Sequence, residues 1–116
     1  TRKVDDVSQH YHDPEDLKRL TEYKELAPQE FKAFAAFDGS IGREGGAIDQ
    51  LHRELIAVGV AITSQCPYCI QVHVNNAKRA GATKAQIAEA ALVSAALGAG
   101  SSVTHGTMAF RFFDEA

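Results

Sequence analysis

A chain of 116 residues is the size of one domain, large enough to bury roughly two thirds of its unfolded surface without crosslinks. Hydrophobic residues make up 45%, and twelve basic against fifteen acidic side chains give a net charge of −3, so composition offers no reason to expect nucleic acid or an anionic membrane as a partner. No run approaches the roughly eighteen apolar residues of a membrane span, and the acidic opening TRKVDDVSQHYHDPEDL has no apolar leader core, which makes the expected location cytoplasmic.

Residues 1–13 are polar and without periodicity, and are expected to form a flexible or subunit-contacting arm. HYHDP places two histidines at i and i+2 there, a spacing with little meaning as a metal site. A first helix is expected from Asp13-Pro14, with Asp13 as cap and Pro14 at the first helical position, carrying Leu17, Leu20, Tyr23 and Leu26. A second begins near Pro28, has Phe31, Phe34 and Phe37 on its apolar side, and stops in DGSIGREGG, where four glycines fall within eight residues. In AIDQLHRELIAVGVAIT, Asp49 is a natural cap and Leu51, Leu55, Val58 and Ile62 recur at helical spacing. Pro67 then opens a helix capped by Cys66 and running to about Arg79, with Gly81 where a left-handed residue ends it. Thr83 and Gln86 form a capping box before a long run of Ala, Gly and Ser, whose small side chains suit a bundle centre or a subunit contact. No segment alternates as a strand does, so the expected fold is all-α, five or six helices in one domain.

Both cysteines and one of the five histidines fall in QCPYCIQVH, Gln65 to His73. A disulfide between Cys66 and Cys69 would close too short a loop to stabilise the chain much, so a structural staple is a weak explanation. Cys66 at the cap and Cys69 at the third helical position both lie beside helix N–H groups that favour a thiolate. Two sulfurs so spaced can close a disulfide across the first turn, and His73, one turn beyond Cys69 on the same face, can exchange protons with that sulfur. Glu54 falls on the apolar stripe of the preceding helix, where an unpaired carboxylate would be costly. If the two helices form a hairpin, Glu54 approaches the cysteine helix and can accept a proton from Cys66; otherwise it sits at the stripe's edge beside Arg53 or Lys78. Cys66, Cys69, His73 and Glu54 are also acceptable zinc ligands, so a zinc-binding module stays open, although a helix start is an unusual place for the cysteine pair of a zinc site. Tyr68 is a candidate to flank the site opening. His105, on the last helix, is either a satisfied core histidine or a residue lining the same pocket.

The stretch ELIAVGVAITSQCPYCIQVHVNNAKRAGATKAQIAEA resembles the carboxymuconolactone decarboxylase and AhpD-like alkylhydroperoxidase superfamily over roughly residues 28–100. The spacing of Glu54, Cys66, Cys69 and His73 matches the core pattern of its peroxidase branch. The resemblance implies an all-helical protein assembling as a dimer, trimer or hexamer, with no bound cofactor. It implies a thiol-dependent peroxidase in which Cys69 attacks a hydroperoxide, Cys66 resolves the sulfenic acid to a disulfide, and Glu54 and His73 relay protons. An unidentified thiol or dithiol would then reduce the disulfide. The decarboxylase branch lacks the paired cysteines. The best-known peroxidase member has a histidine between its cysteines where this chain has Tyr68, which removes an imidazole from the relay. A non-enzymatic redox sensor or structural oligomer on the same scaffold is the other expectation.

Overall fold

The computed structural model describes residues 11–116, and ten residues of the expected N-terminal arm, His10 among them, lie outside that range. Among the described residues helix is the sole regular secondary structure, with no strand. It comprises a 3-10 helix, Pro14–Glu22, followed by α1 (Tyr23–Leu26), α2 (Pro28–Ile41), α3 (Gln50–Thr63), α4 (Pro67–Arg79) and α5 (Lys84–Glu115). These fall into two compact units, divided after Gln50.

In the first unit, Asp13 and Pro14 start the first helix as expected: the Asp13 side chain accepts from the Glu15 N–H at 2.9 Å, and Asp16 accepts from the Asp13 N–H at 3.2 Å. The helix is 3-10 rather than α over Pro14–Glu22. Of the expected apolar row, Leu17 and Leu20 lie in it at a spacing of three residues, one 3-10 turn, while Tyr23 and Leu26 fall in α1. The ion pairs have the same period: Lys18 meets Glu15 at 2.6 Å and Arg19 meets Glu22 at 2.6 Å, each three residues apart. The Arg19 hydrogen bond, and then its charge, hold Glu22 below the usual carboxylate range. Tyr23 stacks on Phe31 of α2, with ring centroids 5.4 Å apart, and Phe31 in turn meets Phe34 at 6.2 Å. α2 ends at Gly42, inside the glycine-rich segment.

The second unit is built from α3, α4 and α5, and holds the buried apolar residues Val58, Ala61 and Ala77. α3 and α4 form a tight hairpin. At its turn Gln65 takes a left-handed conformation (φ 57°), the Gln65 N–H bonds to the Ile62 carbonyl, and the Cys66 N–H bonds to the Ala61 carbonyl. That pair of bonds is a Schellman motif. Cys66 therefore closes one helix through its backbone while capping the next with its side chain. α4 ends the same way, with Gly81 left-handed (φ 102°), its N–H on the Lys78 carbonyl and the Ala82 N–H on the Ala77 carbonyl. The capping box of α5 forms as expected: Thr83 N–H to Gln86 Oε1 at 2.9 Å and Gln86 N–H to Thr83 Oγ1 at 3.1 Å.

α3 and α5 lie close together. A Cβ placed on Gly59 would come within 3.7 Å of the Ala90 carbonyl oxygen, and the Thr63 and Ser94 hydroxyls hydrogen-bond each other. α5 has no buried residue over its 32 positions. By length and composition alone it is apolar enough to cross a membrane. His105 is exposed on this helix, with the Ser101 hydroxyl 3.5 Å from its Nδ1. The core-histidine alternative is not met within the single chain, where no neighbouring helix encloses the imidazole.

Candidate active site: a disulfide at a helix start beside a carboxylate–imidazole pair

The site begins with the cap of α4. Cys66 has extended backbone (φ −108°, ψ 97°), Pro67 fixes the first helical φ, and the Cys66 sulfur accepts the Cys69 N–H at 3.2 Å. Cys66 and Cys69 are joined as a disulfide with their Cα atoms 5.3 Å apart, inside the range that a disulfide spans. Both cysteines were expected to benefit from the helix start; the N–H bond goes to Cys66. Cys69 is the more open of the two, being exposed where Cys66 is half-buried.

Glu54 reaches α4 from the stripe of α3, as the hairpin alternative requires. Its Oε2 lies 2.7 Å from His73 Nδ1, with the two side chains 16% and 33% exposed. This is the reason for a carboxylate on an apolar stripe: it has an imidazole to bind, and neither Arg53 nor Lys78 is needed to explain it. The carboxylate meets α4 at its second and third turns. Its other oxygen, Oε1, accepts from Asn76 Nδ2 at 3.5 Å, and the Asn76 Oδ1 accepts from the Arg79 guanidinium. Asn76 is the polar neighbour that sequence reasoning passed over. The available signal was its position, one turn beyond His73 on the face that meets α3.

An ionised Glu54 accepts the proton on His73 Nδ1, leaving Nε2 as the free basic nitrogen of the ring. Cys69 lies one helical turn before His73. Oxidised as a disulfide, the sulfurs offer no thiolate to a metal, and among the described residues no group of three or more His, Cys, Asp or Glu side chains is gathered as a metal site. Tyr68 is half-buried in the first turn of α4, between the two sulfurs in sequence. A groove of about 880 Å³ lies along α3 and α5, lined by Ile56, Val60, Val93 and Leu97 among others; neither Tyr68 nor His105 is part of its lining.

The family profile of the carboxymuconolactone decarboxylase family matches residues 28–111. The chain is similar to the "uncharacterized protein 4 in cox locus" of Paracoccus denitrificans, 47% identical over 60% of this chain and 63% of that protein. It thus spans less than two thirds of that relative's length. An uncharacterized protein of Cupriavidus necator is 32% identical over 85% of this chain and 94% of its own. Among solved structures, a Methanobacterium thermoautotrophicum protein superposes with a TM-score of 0.69 at 30% identity, covering 76% of this chain and 98% of the other. An apo carboxymuconolactone decarboxylase family protein from Legionella pneumophila does so with a TM-score of 0.66 at 25% identity, covering 80% and 82%. With a profile spanning most of the chain and two such folds behind it, this protein belongs to the carboxymuconolactone decarboxylase/AhpD-like superfamily, and its cysteine pair is spaced as in the peroxidase branch.

Proposed function

We propose that the protein is a thiol-dependent peroxidase that reduces hydrogen peroxide or alkyl hydroperoxides through a Cys66/Cys69 dithiol–disulfide cycle. The observation that carries this reading is the 2.7 Å contact between Glu54 of α3 and His73, which lies on α4 just beyond a disulfide-forming pair. In the reduced state His73 Nε2 takes the Cys69 proton, directly or through a water. The Cys69 thiolate attacks the terminal peroxide oxygen, the O–O bond breaks, and the departing alkoxide or hydroxide receives that proton. Cys69 is then a sulfenic acid. Cys66 attacks it as a thiolate, forming the S–S bond and releasing water once a proton is supplied; the Cys69 N–H on the Cys66 sulfur favours the anion this step needs. An external dithiol returns two electrons and two protons, and a reducing, cytoplasmic setting would sustain that return. The reading includes a homo-oligomer, supported by the apolar residues that α5 leaves exposed.

The test is anaerobic titration of the reduced protein with one equivalent of cumene hydroperoxide, counting free thiols. The wild type is expected to lose two thiols per chain. C66S should stop at a sulfenic acid that dimedone traps, and C69S should react at least 100-fold more slowly, the scale of losing an activated nucleophile. Unchanged reactivity in C69S would sink the mechanism. Rapid oxidation without turnover under any dithiol would leave a redox sensor on this scaffold.

A further inference from the structure

We propose that Asn76 is a positioning residue: its carboxamide donates to Glu54 Oε1, fixes the plane of that carboxylate, and thereby holds His73 in the single tautomer with the proton on Nδ1. The amide's orientation is settled at both ends. Arg79 has only donors, so the atom of Asn76 that meets it is the oxygen, which turns the NH2 group toward Glu54. The result is a polar chain along one face of α4, from Arg79 through Asn76 and Glu54 to the imidazole, spanning Glu54 from Oε1 to Oε2. A carboxylate held at one oxygen can swing away from the ring; held at both it stays against Nδ1, and an acceptor fixed there keeps the ring proton on that nitrogen. The inference builds on the proposed proton relay, but its first readout is the state of the His73 ring and requires no turnover.

The informative variant is Asn76→Leu. It keeps the branched shape closely and adds no charge beside Glu54, while the donor that faces Oε1 is lost. A residue that only packs would tolerate that change. Long-range 15N–1H spectra of the full chain, labelled at histidine, report the protonation of Nδ1 and Nε2 in the resting disulfide form. His73 of the wild type is expected to give the pattern of an Nδ1–H ring. In N76L the two ring nitrogens should move toward the averaged shifts of mixed tautomers, with the thermal midpoint within a few degrees of wild type. Peroxide-driven thiol oxidation should fall roughly ten-fold, well short of the 10²- to 10⁴-fold of losing general base catalysis altogether. Arg79→Leu, which frees the amide to turn, should move the spectrum the same way by a smaller amount, and it serves as the test if N76L does not fold. An unshifted His73 spectrum in a folded variant overturns the assignment. A shifted spectrum in a protein that shows no peroxide chemistry supports the positioning role and removes the peroxidase reading instead.

Discussion

One carboxylate faces the imidazole of this site. Glu54 Oε2 lies 2.7 Å from His73 Nδ1, so a neutral ring opposite an ionised carboxylate has its lone pair on Nε2. Glu54→Gln keeps the shape but offers an amide that can donate to Nδ1, which moves the ring proton to Nε2 and removes the base. The expected outcome is a loss of roughly 10²-fold or more in the rate of peroxide-driven thiol oxidation, with little change in the unfolding midpoint, measured by stopped-flow thiol consumption beside thermal denaturation. A rate within two-fold of wild type would show that His73 acts without its carboxylate. Much of this arrangement was legible from residue spacing: an acid on an apolar stripe needs a partner, and a Pro after a Cys announces a cap. Asn76 was legible only by its position, which is a weak signal. An asparagine one turn past a histidine is an ordinary solvent-facing residue until the partner helix is in place. The preference of the helix-start N–H for Cys66 over Cys69 likewise depends on rotamers, which spacing does not specify.

At the scale of elements, the segment from Ala61 to Thr83 is held by two Schellman turns of unlike residues, and they make opposite predictions. Gly81, at φ 102°, occupies a region that residues with a Cβ enter only at a cost. Gly81→Ala should destabilise the protein by about 1–2 kcal/mol in urea denaturation. Gln65, at φ 57°, already meets that cost as a non-glycine left-handed residue. Gln65→Gly should raise stability by roughly 0.5 kcal/mol, the relief exceeding the added freedom of the unfolded chain only slightly. A loss of stability in Q65G would mean that the Gln65 side chain contributes more than its backbone strain costs. The glycine turn could be read from the sequence because glycine advertises the conformation; the Gln65 turn could not, because nothing in TSQC marks a left-handed residue. The 3-10 helix is a third case. Asp13 and Pro14 mark where a helix starts but not whether its first turns are 3-10 or α.

Taken whole, the chain has more apolar surface than its own helices cover. α5 is 32 residues, about 48 Å long, whereas α3 with 14 residues spans about 21 Å. Val93 and Leu97 are 58% and 69% exposed along the groove, and Phe110 and Phe113 are 70% and 83% exposed near the far end. A soluble monomer rarely leaves so many large apolar side chains of one helix in water, and each fully buried side chain of this kind is worth about 1.5–3 kcal/mol. Self-association is the expected remedy, and a second copy needs no charge complementarity to achieve it. Sedimentation velocity at micromolar concentration should therefore show a species at least twice the mass of one chain. Leu97→Glu, which puts a charge on the groove, should shift it toward the single chain while α-helical content is retained. Wild-type protein that sediments as one chain would remove the oligomer from the proposed function. Protein that instead floats with neutral liposomes would assign the apolar face of α5 to lipid, the other medium for which the helix is long enough.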